Sequence, residues 1–271
     1  MATAVSAPAL PAELQLLQAD PSWRAIDLLS DVHLHASQPA TFEAWRSHLL
    51  HTPADAVLML GDLFEVWVGD DARHAGFEAQ CAAVLREAAQ RRRLAFLPGN
   101  RDFLVGDALL ADCGVQRLAD PTLLLAWDRR WLLSHGDALC LDDADYLRFR
   151  EQVRGSDWQQ RFLALPLDER QRQARAMREA STAYQASLSP TQYSEVDNDA
   201  AAAWLAEADA EALIHGHTHR PATHDLPGGR QRHVLGDWHL DDDAGHGPRR
   251  AVIARLTAQG LDFIDLAGNH R

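Results

Sequence analysis

Five times in this chain a short apolar run breaks off into a tip of Gly, Asp, Asn or His: "AIDLLSDVH", "DAVLMLGDL", "LAFLPGNRD", "RRWLLSHGD" and "EALIHGHTHRP". Runs this short and this continuously apolar predict strands buried on both faces. Two intervening stretches, "TFEAWRSHLL" and "FEAQCAAVLREAAQRR", have helical spacing instead. Strands alternating with helices need a sheet covered by helices. Further strands are expected in "TLLLAWDRRWLLSHGD" around an Asp128-Arg129-Arg130 turn, and in "HVLGDWH", "RAVIARL" and "LDFIDL". The pattern predicts a mixed sheet, or two packed sheets, with helices outside.

Two segments depart from that rhythm. Residues 1–24, interrupted by Pro8, Pro11 and Pro21, read as a weakly ordered N-terminal extension to a domain over 25–271. Residues 145–203 are helical in pattern without a strand signal, with Pro166 and Pro190 as breakers, and read as an inserted helical cap.

Composition narrows the functional classes. The net charge of -13 argues against a non-specific nucleic-acid binder. No apolar run approaches the roughly 18–20 residues of a membrane-spanning helix. "MATAVSAPALPAELQ" lacks the basic and apolar regions of a signal peptide. Cys81, Cys113 and Cys140 are far apart and odd in number, which suits a reducing cytosol. The chain contains no lysine, so its 26 basic residues are all arginine.

The polar tips carry the chemistry. In open α/β sheets ligands gather beyond the carboxyl ends of the strands. Asp31, His33, Asp62, Asn100, His135, His215 and His217 would all be delivered there. Carboxylate, imidazole and amide oxygen without thiolate suit Mn, Fe or Zn. The set exceeds what one tetrahedral ion needs, whereas two ions roughly 3.5–4 Å apart, sharing one carboxylate, would use it. Two divalent cations against two ligand carboxylates leave about +2, enough for an acidic protein to take a phosphorylated substrate. Taken singly, "DVH", "GDLFE" and "GNRD" are ordinary turns, "SHGD" a satisfied histidine and "HGHTH" a histidine-rich loop. Their common position at strand ends is the stronger signal.

In that order, D-x-H, GD-x-x-E, GN-x-D, H-G-D and G-H-x-H resemble the calcineurin-like metallophosphoesterase superfamily. The resemblance implies an α/β fold, a four-layer α/β/β/α sandwich with a two-metal site. The longer strings "GDLFEVWVGDD", "GNRDFLVG", "HGDALCLDDADY", "LIHGHTHRP" and "VLGDWH" are similar to the branch that hydrolyses UDP-2,3-diacylglucosamine in lipid A biosynthesis. The likeness covers the chain from about Ile26 to near the C-terminus. The resemblance implies one ion held by Asp31, His33, Asp62 and His217, and a second by Asp62, Asn100, His135 and His215. It implies manganese, with other divalent ions as options, and an activated water attacking the α-phosphorus. The products would be UMP and 2,3-diacylglucosamine 1-phosphate (lipid X). Asp62, Asn100, Arg101 and His215 would be catalytic; Asn100, Arg101, Asp143, Ser181, Gln185 and His215 would bind substrate. His219 would lie outside the cage as a loop residue.

Gln185 stands where that branch has Asn, and Leu188 where it has Lys; Arg178 is a candidate to replace the cation. Trp158, Phe162, Leu163 and Leu165 read as helix-packing residues, and in the resemblance as the lining of an acyl chamber. Residues 145–180 hold eight Arg against six Asp and Glu, which suits peripheral contact with the cytoplasmic face of the inner membrane. The alternatives are a dinuclear phosphoesterase or nucleotide pyrophosphatase acting on a small soluble substrate, and a non-catalytic binding module.

Overall fold

The computed structural model describes residues 8–187, 195–241 and 248–269, with side chains left out for 180–187 and 269. In chain order the elements are β1 (Gln15–Gln18), β2 (Ile26–Leu29), α1 (Pro39–His51), β3 (Ala56–Leu60), α2 (Gly76–Ala89) and β4 (Arg93–Leu97). Next come α3 (Asp107–Cys113), β5 (Val115–Arg117), β6 (Thr122–Ala126), β7 (Arg129–Leu133), α4 (Ala144–Arg154), α5 (Ser156–Leu163) and α6 (Leu167–Ser187). The chain closes with α7 (Asn198–Glu207), β8 (Ala212–His215), β9 (Ala222–Leu226), β10 (Arg230–Val234), β11 (Trp238–His239), β12 (Arg250–Thr257) and β13 (Gly260–Asp265).

The strands form two sheets. One runs β1-β6-β7-β8-β10-β9, the other β11-β12-β2-β3-β4-β5 with β13 on β12. Strands β2, β3, β4 and β5 are parallel, as are β7, β8 and β10. Side-chain alternation sorts the layers. Ala56, Leu58 and Leu60 of β3 join Ile26 and Leu28 of β2, and Leu124, Trp131 and Ile214 of the other sheet, in the core between the sheets. Val57 and Met59 point the other way, into a core with Trp45 and Leu49 of α1 and Leu85 of α2. On the far side Leu123, Leu132 and Leu213 pack against Ala201, Trp204 and Leu205 of α7. The result is the helix–sheet–sheet–helix sandwich.

Residues 15–18, inside the expected lead-in, form edge strand β1, paired in parallel with β6, and Leu10 lies in the core beneath α7. Within 145–203, Phe162 of α5 and Ala174 of α6 join the core that α1 and α2 form on the β2–β3–β4 sheet, whereas α7 covers the β6–β7–β8 sheet. The β6–β7 turn sits at Trp127 and Asp128, both at positive φ (52° and 60°), one residue earlier than expected. Cys81, Cys113 and Cys140 are free and buried.

One buried charge cluster ties the scaffold together. Asp27 of β2 accepts hydrogen bonds from Arg255 Nε and Nη2 (2.7 and 2.9 Å) and from Thr52 Oγ1 (2.5 Å), with His48 Nε2 3.3 Å away. Burial alone would raise its pKa; the bonds to His48, Arg255 and Thr52 outweigh it and pull the carboxyl down to about 2. The folded-state value lies below the unfolded one, so this stability is complete above about pH 4 and lost as pH falls through about 2. A lowering of that size is worth about 2 kcal/mol. Denaturant unfolding at pH 4 and pH 2.5 should show a loss in the parent chain that is smaller in Asp27→Asn. Equal losses in both would place the acid-sensitive group elsewhere.

Candidate metal centre

The polar tips converge at the carboxyl ends of β2, β3 and β4 of one sheet and β7 and β8 of the other. Five of the eight non-glycine residues at positive φ among the described residues are Asp31, His33, Asp62, His217 and His219. Such backbone is strained for L-residues and concentrates at functional sites. Close approach also needs glycine: a Cβ on Gly99 would meet Asp62 Oδ1 at 2.1 Å, and one on Gly216 would meet Asp31 Oδ2 at 2.3 Å.

Two groups of donors emerge. Asp31, His33 and His219 place one ligand atom each within 4.8 Å of one another, and so do Asp31, Asp62 and His135. In the first group His33 Nε2 faces His219 Nε2 at 3.3 Å, and His219 Nε2 is 3.3 Å from Asp31 Oδ1. In the second, His135 Nε2 lies 3.7 Å from Asp62 Oδ1 and 2.9 Å from Asn100 Oδ1, which is also 2.9 Å from His217 Nδ1.

The other ring nitrogens are anchored. His135 Nδ1 donates to the Leu60 carbonyl (3.0 Å), His33 Nδ1 faces Glu65 Oε2 (3.2 Å), and His219 Nδ1 faces Asp237 Oδ2 (3.7 Å). Asp237 is itself gripped by Arg250 through two 2.6 Å hydrogen bonds. An imidazole held this way on one nitrogen presents the other to an ion.

His215 is the exception, and it corrects an expectation. Leu213 and His215 share the face of β8 that looks toward α7, and His215 is fully buried there. Its Nδ1 contacts the Gly216 carbonyl (2.9 Å) and its Nε2 accepts from Arg232 Nη1 (3.1 Å), so both nitrogens are engaged. Burial, then the Arg232 charge, lower its pKa to about 3. The histidine expected in the cage stands outside it, and His219, expected outside, stands within reach of Asp31 and His33.

The donor set fits divalent cations. Asp31 Oδ1, fully buried, has no hydrogen-bond partner among the described residues. Burial would lower the His135 pKa, yet Asp62, Asp31 and Asp137 raise it to about 9, so the carboxylates draw positive charge into the pocket. Burial, and then His135, push His217 down to about 4, leaving a neutral imidazole with a lone pair to give.

Several supporting residues were not singled out from the sequence. Asp102 accepts from the backbone N–H groups of Asp62, Leu63, Phe64 and Gly99 at 2.7–3.3 Å, locking the "GDLF" and "GNRD" tips together. Asp137 accepts from Tyr146 Oη (2.6 Å) and Arg150 Nε (2.8 Å), while Arg154 Nη2 donates to the Gly99 carbonyl (2.9 Å). These contacts seat α4 on the site, where Tyr146 stacks on His217 with centroids 5.9 Å apart. A capping signal was available in "DDADY": Asp143 caps α4 by accepting from the Tyr146 N–H (2.9 Å).

Of the other expected substrate residues, Arg101 borders the cage, its N–H donating to Asp62 Oδ1 (2.8 Å) and its Nε 3.9 Å from Asp62 Oδ2. The side chains of Ser181 and Gln185, and all of Leu188, lie outside the described residues. Arg178 pairs with Glu65, the carboxylate behind His33.

A helix-backed double sheet carrying this cage defines a metallophosphoesterase. The chain belongs to the calcineurin-like phosphoesterase family, whose model matches residues 25–221. It is similar to proteins named UDP-2,3-diacylglucosamine hydrolase. The one from Chromobacterium violaceum is 44% identical over 82% of this chain and 96% of its own length. Those from Sodalis glossinidius and Xanthomonas campestris are 41% and 39% identical, covering 80% and 88% of this chain and 91% and 98% of theirs.

Proposed function

We propose that the chain hydrolyses the diphosphate bond of UDP-2,3-diacylglucosamine, releasing UMP and 2,3-diacylglucosamine 1-phosphate in lipid A biosynthesis. Identity of 39–44% to hydrolases of that name over most of both chains carries this reading. The cage geometry supports a ligand division of Asp31, His33, Asp62 and His219 for one ion, and Asp62, Asn100, His135 and His217 for the other. Two manganese ions there would polarise a phosphoryl oxygen and activate a water.

The protein's own groups do the rest. The Arg101 guanidinium, beside Asp62, offsets charge developing on the phosphoryl oxygens. Asp102 fixes both loops that carry Asp62 and Asn100, so ligand positions are set before substrate arrives. Asp137, Arg150 and Tyr146 hold α4 against His217, which supports a role for helices α4 to α6 as a cap over the sugar lipid, with α7 left to the sandwich.

Peripheral contact with the inner membrane's cytoplasmic face is part of the proposal. Phe149, Leu163 and Met177 on α4, α5 and α6 are exposed apolar residues among arginines, and among the described residues no helix is long and apolar enough to cross a membrane. Arg178, paired with Glu65, is a candidate to replace the cation at Leu188.

The test is an assay of manganese-loaded protein with UDP-2,3-diacylglucosamine and with UDP-N-acetylglucosamine, following UMP. The expected result is UMP from the lipid at least a hundredfold faster than from the soluble sugar. Preference for the soluble sugar would favour a small-substrate pyrophosphatase.

A further inference from the structure

Next to the cage, and no part of it, is a cleft of about 520 Å³ bounded by Glu195, Asn198, Arg220, His224 and Arg232. Arg232 belongs to it although only 2% exposed. A guanidinium remains charged at any physiological pH, and a buried one ordinarily has a carboxylate against it. Among the described residues none stands within ion-pair distance of Arg232. Its two hydrogen bonds go to neutral acceptors, Nε to Asn198 Oδ1 (3.1 Å) and Nη1 to His215 Nε2 (3.1 Å). Neither bond uses Nη2, whose two N–H groups are left as donors. Asn198 spends its carbonyl on Arg232 and keeps its amide N–H groups. Glu195 supplies a carboxylate, one oxygen of which accepts from Arg220 Nη1 at 2.6 Å. Arg220 directly follows His219, so the rim of the cleft begins where the cage ends.

We propose that this cleft receives the uridine of the substrate's nucleotide half, an inference that rests on the function proposed above. Uracil presents two carbonyl acceptors on either side of an N–H donor. Arg232 Nη2 and the Asn198 amide match the carbonyls, and the Glu195 carboxylate matches the N–H. The charge of Arg232, unneutralised by any carboxylate in contact, also favours an anionic nucleotide over a neutral sugar. A phosphate held at the cage would leave its ribose beside Arg220 and His224, and its base over Arg232.

The measurement is titration calorimetry of the full, manganese-loaded chain with UMP and with ribose 5-phosphate, which lacks only the base. The parent protein should bind UMP at least tenfold more tightly. Arg232→Met and Asn198→Ala should shrink that preference to below threefold; the second change, at an exposed position, guards against loss of folding in the first. Both should raise KM for the lipid substrate about tenfold while kcat changes less than threefold. Equal affinity for the two probes in the parent, or an undiminished preference in folded variants, overturns the assignment. So does a parallel loss of both probes, which would make the cleft a phosphate site. A base-dependent preference without any UMP release from the lipid would instead retire the proposed reaction.

Discussion

His219→Ala should bind one manganese instead of two and lose about three orders of magnitude in kcat, while His215→Gln keeps both ions. A thousandfold corresponds to about 4 kcal/mol of transition-state stabilisation, the scale expected when one of two ions is lost. The geometry decides between the two histidines. His219 turns Nε2 toward Asp31 Oδ1 and His33 Nε2, both at 3.3 Å, and rests Nδ1 against Asp237. His215 has both nitrogens engaged, by the Gly216 carbonyl and by Arg232. In His215→Gln the new side-chain oxygen can still accept from Arg232, so the buried guanidinium keeps a partner. Metal analysis after gel filtration, beside the kinetics, separates the cases. A variant at 215 that loses an ion while the one at 219 retains two would reverse the ligand division.

The same residues show where sequence reading stops. The strand ends were legible because buried parallel strands are continuously apolar and stop abruptly at polar tips; β2, β3, β4, β7 and β8 all lie where those runs predicted. Within "HGHTH" the spacing by itself cannot choose a pair, since alternating residues share a face only while the strand continues. Here β8 ends at His215, Thr218 N–H turns back to the Gly216 carbonyl (2.8 Å), and His217 and His219 adopt positive φ. Parity held a clue: Ala212 and Ile214 enter the inter-sheet core, so His215 must look with Leu213 toward α7. Strand β1 is not legible in the sequence because "QLLQ" is short, half polar and near prolines, and its pairing with β6 joins residues over a hundred positions apart. Asp102, Asp137 and Asp237 stabilise loops and side chains contributed by distant segments, which local pattern does not reveal.

Asp62→Ala should reduce turnover by at least about four orders of magnitude, roughly 5–6 kcal/mol, and should flatten the pH dependence of the metal-free protein's stability. Asp62 is the one carboxylate proposed to serve both ions, and its Oδ1 also receives the Arg101 N–H at 2.8 Å. Removing it weakens both sites together, so manganese should raise Tm in the parent and not in the variant. Asp102 is the buried carboxyl whose ionisation the Asp62 charge opposes. Burial first, and the Asp62 charge second, raise its carboxyl pKa to about 6. That folded-state value is above the unfolded one, so metal-free stability falls as pH rises through about 6, where Asp102 must ionise beside Asp62. Without the Asp62 charge the rise in pKa shrinks and the decline flattens. Denaturant unfolding of metal-stripped protein at pH 5 and pH 8 should show a smaller pH 8 deficit in Asp62→Ala. An unchanged deficit would mean that burial alone raises Asp102, and turnover above about one per cent of the parent rate would mean that Asp62 is not the shared ligand.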